Sequence, residues 1–75
     1  MIEDIQRLLE GAPFQPFTIV TSSGKNYRVA SRDHAGFSPD KKRVLIWFDD
    51  SSHITVSPLH ITALEEEAPS QKQPA

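Results

Sequence analysis

The chain contains no cysteine. That excludes disulfides, thiolate metal sites and thiol nucleophiles, and it removes the staple on which many small secreted domains depend. A cysteine-free composition fits a reducing cytoplasm, and a soluble, unexported, cytoplasmic protein is expected. No apolar run approaches the ~20 residues needed to cross a bilayer. The opening Met1-Ile2-Glu3-Asp4 carries acid where a signal peptide carries base, so no membrane partner is expected. Surplus positive charge is missing as well. Eight Lys and Arg against ten Asp and Glu leave a net charge of −2. Phosphate is not attracted globally, and nucleic-acid binding would need a local basic patch. The sequence holds neither a glycine-rich phosphate loop nor an internal repeat. At 75 residues it is one domain near the lower limit for folding on a hydrophobic core alone, so support from a partner is plausible.

What is present begins with a helix. Ile2, Ile5, Leu8 and Leu9 recur at three- and four-residue intervals and share one face, which predicts a helix over residues 2–10. Glu3 and Asp4 suit its N-terminal end, and Gly11 with Pro13 supplies a stop. A helix this short is marginal alone and must dock its apolar stripe. Strand signals follow over Phe17 to Thr21 and Asn26 to Ala30, joined at Ser22-Ser23-Gly24-Lys25, where glycine suits a positive φ. Ser31 to His34 reads as a turn or single helical turn, and Ala35 to Ser38 as a short extended piece. Further strands are expected over Arg43 to Phe48, over His53 to Val56, and from His60 or Ile61 to Glu65, with a sharp break at Ser57-Pro58-Leu59. The polar, proline-bearing stretch 68–75 has no apolar periodicity and is expected to be a disordered tail. The resulting fold class is mainly β (α+β): one domain over residues 1–67, with an N-terminal helix and about five short antiparallel strands. These are expected to form a small SH3- or Sm-like barrel or a strongly bent sheet.

The most informative stretch is Val44-Leu45-Ile46-Trp47-Phe48. Alternation sends Val44, Ile46 and Phe48 to one face of the strand and Leu45 and Trp47 to the other, and both faces are apolar. Leu45 and Trp47 are therefore candidate interface residues. Either the N-terminal helix covers them, an arrangement slightly favoured because that helix needs a docking site, or another molecule does.

Two resemblances attach to these motifs. The helix ending in Leu8-Leu9, the segment Pro13-Phe14-Gln15-Pro16-Phe17-Thr18-Ile19, the pair of segments Tyr27-Arg28-Val29 and Phe37-Ser38-Pro39-Asp40, and the apolar strand together resemble a group of small bacterial proteins with this proline-phenylalanine signature. That resemblance implies no activity. More distantly, the element order is similar to that of Sm-like proteins of the Hfq type, in which a helix precedes a bent five-stranded barrel that assembles into rings and binds RNA. Val56-Ser57-Pro58-Leu59-His60-Ile61 sits where that family makes its last sharp turn. Leu59 stands where the family carries a lysine before its histidine, and residues 33–36 lack the asparagine of archaeal and eukaryotic members.

Candidate chemistry is sparse. His34, His53 and His60 form no motif, and their spacing does not place ligands on one face of a helix. His53 lies beside Asp49 and Asp50 in sequence, which an ordinary solvated turn explains. No serine sits in a glycine-flanked elbow, and each is accounted for as a turn former. No catalytic residue, metal or cofactor is expected, and the chain is read as a non-enzymatic protein-interaction or self-assembly module, with itself or another protein as partner. The alternative is an Sm-like RNA-binding protein, for which Lys25, Arg28, Arg32, Lys41, Lys42, Arg43 and His60 are the candidate contacts.

Overall fold

The computed structural model describes residues 1–67. Helix α1 spans Ile2–Glu10, with Glu3 and Asp4 in its first turn and an Arg7–Asp4 ion pair at 2.5 Å along its exposed side. Ile5 is fully buried, with Ile2, Leu8 and Leu9 packed around the core it enters. Gly11 ends the helix at φ −59 and ψ 146, an extended exit into the proline segment that makes no use of the left-handed conformation glycine allows.

Strand β1 (Phe17–Thr21) is the centre of a three-stranded antiparallel sheet, flanked by β2 (Asn26–Val29) and by β6 (Ile61–Glu66) at the other end of the chain. Gly24 turns the β1–β2 hairpin at φ +92, and the buried Thr21 hydroxyl is satisfied by donating to the Lys25 carbonyl at 2.6 Å. In the β1–β6 pairing the register slips between Val20 and Thr21, so that Val20 faces Ala63 but Thr21 faces Ile61. The slip bulges Thr62 outward and brings Ile61 to the core face, where it is 6% exposed; regular alternation from Leu64 would have put it outside.

The second sheet runs β3 (Ala35–Phe37), β4 (Val44–Trp47) and β5 (His53–Val56), with β4 in the middle and both pairings antiparallel. The piece at Ala35 thus pairs as a strand of its own, making six strands where about five were expected. Two 3-10 turns carry the chain between the sheets, Arg32–His34 from β2 to β3 and Pro58–His60 from β5 to β6. Each is capped by the serine before it, Ser31 or Ser57, which accepts the Asp33 or Leu59 amide. One core serves both sheets: Phe17, Ile19 and Val29 from the first meet Val44, Ile46 and Val56 from the second, and Ile5 reaches it from α1.

The expected helix cover for Leu45 and Trp47 is not what forms. Val44 and Ile46 are fully buried, which turns Leu45 and Trp47 to the opposite, outer face, whereas α1 inserts Ile5 on the core side. Phe48 lies beyond the end of β4 and is 36% exposed, so it does not continue the buried row of Val44 and Ile46. The tail expected at 68–75 lies outside the described residues. Among the described residues, no helix is long and apolar enough to cross a membrane.

Candidate interaction surface

Antiparallel register decides what surrounds Trp47. Leu45 pairs with Gly36 on one side and Thr55 on the other, and Trp47 pairs with His53, so these five residues make the outer face of the second sheet. The Trp47 indole leans over Gly36, where there is no side chain to displace it, and its ring centroid lies 5.9 Å from that of His53. It remains 37% exposed. Phe48 turns to Tyr27, with ring centroids 6.2 Å apart.

Beside Trp47 is an open depression of about 550 Å³ lined by Asp33, His34, Trp47, Phe48, Asp49 and Ser51. Two aromatic side chains there stand beside the carboxylates of Asp33 and Asp49. The Asp50 carboxylate, in the same β4–β5 turn, is held below the usual range by the Ser52 hydroxyl and amide, both of which donate to it. His34 binds this turn to the first 3-10 turn. Ser31 Oγ lies 2.7 Å from His34 Nδ1, and His34 Nε2 lies 3.0 Å from Asp49 Oδ1. His34 thus reaches both turns, Ser31 through Nδ1 and Asp49 through Nε2, while Ser31 Oγ also accepts the Asp33 amide. The line has the residue types of a hydrolytic triad, but Ser31 does not line the depression, and its oxygen is engaged in capping. The arrangement ties two turns together and offers no exposed nucleophile to that depression.

His53, next to the acidic turn in sequence, has its ring tilted against that of Trp47, whereas Asp49 pairs with His34. His60 lies at the second 3-10 turn, 3.4 Å from Ser22 Oγ, beside a separate open depression of about 450 Å³ that includes Tyr27 and Ile54. Among the described residues, no three His, Asp or Glu side chains come together as a metal-binding set.

The seven candidate nucleic-acid contacts are spread over several elements, and two of the arginines are engaged within the fold. Arg28 is paired with Glu67 through two hydrogen bonds, at 2.5 and 3.1 Å, which hold the Glu67 carboxyl below its usual range. Arg32 donates to the carbonyls of Leu9 and Gly11 at the end of α1 and lies over the Phe14 ring at 5.7 Å. Lys25 is on the β1–β2 turn and His60 on the second 3-10 turn, whereas Lys41, Lys42 and Arg43 lead into β4, where Lys41 Nζ reaches Gln6 Oε1 of α1 at 3.4 Å. Of the two candidate interface residues, Trp47 is exposed and Leu45 half-buried on the same outer face. Sequence reasoning passed over Phe48, Asp33 and Asp49 as surroundings of Trp47. The adjacent pairs Trp47-Phe48 and Asp49-Asp50 were the available signal. The chain matches no protein-family model, no curated protein and no solved structure.

Proposed function

We propose that this chain is a non-catalytic β module that acts by binding protein, either its own copies or another chain. The observation that carries the reading is the outward placement of Trp47, 37% exposed on the outer face of the second sheet, away from the shared core. An exposed tryptophan with a neighbouring exposed phenylalanine is the kind of anchor that protein interfaces bury. The reading takes the two sheets as halves of a small SH3- or Sm-like barrel, turned at the two 3-10 corners and unpaired at both seams, β2 to β3 and β5 to β6. RNA binding draws less support, because Arg28 and Arg32 are engaged within the fold and carboxylates surround the aromatic platform.

Sedimentation velocity from micromolar to near-millimolar protein, together with affinity capture using wild type and Trp47→Ser, tests this. Association or capture lost in the folded Trp47→Ser protein is expected. A wild type that stays monomeric and captures nothing dependent on Trp47 would remove the proposal. Salt-sensitive binding of single-stranded RNA would favour the alternative.

A further inference from the structure

Strand β4 carries opposite charge at its two ends. The turn entering it holds Lys41, Lys42 and Arg43 in succession, with Asp40 folded back to accept the Ser38 hydroxyl at 2.7 Å and the Lys42 amide at 2.9 Å. The turn leaving it holds Asp49 and Asp50, and Asp33 lines the same depression as Asp49. Among the described residues, Lys42 and Arg43 make no ion pair, and neither do Asp33 and Asp50. Four strand residues, about 13 Å at ~3.3 Å each, separate the two ends, so one chain cannot bring its own basic turn into its own depression.

The acidic end is more than a group of carboxylates. Trp47 and Phe48, 37% and 36% exposed, line it with their aromatic side chains. Aromatic faces beside carboxylates suit a cation, above all a guanidinium, which gains from the ring quadrupole and from the negative charge together. The chemistry called for is an arginine with a second cation next to it, projecting from a turn. Lys42 and Arg43 are such a pair, both exposed, following a Lys41 held at φ +60.

We infer that the depression formed by Trp47, Phe48, Asp33 and Asp49 receives the Lys42–Arg43 turn of a second copy of this chain. The inference rests on the self-assembly form of the function proposed above and names the surfaces that meet. The two patches differ, so the contact is head-to-tail. Each added copy offers a new depression, and growth continues to an open chain or a closed ring instead of stopping at a two-fold dimer. One turn seated in one depression is a small contact of the transient class, below about 1,200 Å². Its attraction is between exposed charges and weakens as salt is added. Phosphate is repelled from the same depression by its carboxylates.

The test is a sedimentation concentration series at low and high salt on four samples: wild type, Lys42→Glu/Arg43→Glu, Asp33→Lys/Asp49→Lys, and an equimolar mixture of the two variants, with folding checked by circular dichroism. Wild type is expected to grow beyond a dimer at low salt and to dissociate at high salt. Each variant alone should associate at least about tenfold more weakly because like charges face each other, and the mixture should recover association. The glutamate variant alters only an exposed turn and leaves the depression intact, so it decides the matter even if the lysine variant fails to fold. A wild type that is monomeric throughout would overturn both this contact and self-assembly. Wild-type association that persists unchanged in high salt or in Lys42→Glu/Arg43→Glu would overturn this contact alone and point to pairing along the β5 or β6 edge.

Discussion

Trp47 occupies the space above Gly36, its Cζ3 standing 3.6 Å from where a Cβ on that glycine would be. The distance is ordinary van der Waals contact, so Gly36→Ala should be accommodated, with stability changed by no more than about 0.5 kcal/mol. Valine or leucine adds atoms beyond Cβ, where the indole lies. Either should lift Trp47 toward solvent, red-shift its emission and cost about 1–3 kcal/mol as an overpacked contact. Equilibrium unfolding and fluorescence on the three variants would check this, and an unshifted emission in Gly36→Leu would show that the indole does not rest on Gly36.

The outer position of Trp47 changes what its removal should do. A buried tryptophan replaced by alanine loses about 3–5 kcal/mol, much of it through an unfilled cavity. On the outer face water fills the space, and Trp47→Ala should cost about 1–2 kcal/mol. Ile46, its neighbour in β4, is fully buried, and Ile46→Ala should cost about 2–5 kcal/mol. Urea midpoints for the two variants should therefore fall in the order Ile46→Ala below Trp47→Ala. The reverse order would place the tryptophan, not the isoleucine, in the core.

Arg32 joins the start of the second sheet to the end of the helix by donating from Nε to the carbonyl of Leu9 in the last turn of α1 and from Nη2 to that of Gly11 just past it. Lysine has no planar fork and cannot make both bonds while lying over Phe14. Arg32→Ala should destabilise by about 1 kcal/mol, the usual net value of such bonds at an exposed site, with Arg32→Lys recovering only part of it. Amide exchange at Leu9, Glu10 and Gly11 should accelerate in both. Unchanged exchange there would mean that the helix end is held by other contacts.

The helix and the first hairpin were legible in the sequence because each bears a single, local signal: one apolar stripe in α1, one alternating row before Gly24. β4 was harder, because Val44 and Ile46 on one face and Leu45 and Trp47 on the other are equally apolar, and alternation alone cannot say which face is inside. The deciding facts are non-local. Gly36 lies opposite Leu45 and leaves room for the indole outside, while Phe37, Val56 and Ile5 enclose Val44 and Ile46 inside. The bulge that brings Ile61 inward is likewise invisible in β6 itself, since it exists only in the pairing with β1. Arg32 read as a free cation because nothing in the local sequence announces that its guanidinium reaches carbonyls 21 and 23 residues earlier. The acidic turn was visible as sequence; its relation to His34 required the fold.

Acid should act on three exposed carboxylates for two different reasons. Asp50 is held below its ordinary 3.8 by the Ser52 hydroxyl and then the Ser52 amide, and Asp40 likewise by the Ser38 hydroxyl and the Lys42 amide. Glu67 is held below 4.5 by its hydrogen bonds to Arg28 and then by the guanidinium charge. In each case the folded carboxyl binds its proton less readily than the unfolded one. Its contribution to stability is therefore complete above the unfolded value and is lost as pH falls from that value through the lower, folded one. Carboxyl-carbon NMR titration should find all three midpoints below those of unfolded-chain carboxylates. Ser52→Ala should raise the Asp50 midpoint and leave Glu67 in place, and Arg28→Gln should do the opposite. Added salt should raise Glu67, whose partner is an exposed charge, more than Asp50, whose partners are neutral donors. Equal responses of Asp50 and Glu67 to salt would show that the turn carboxylate is governed by surrounding charge and not by the two Ser52 hydrogen bonds.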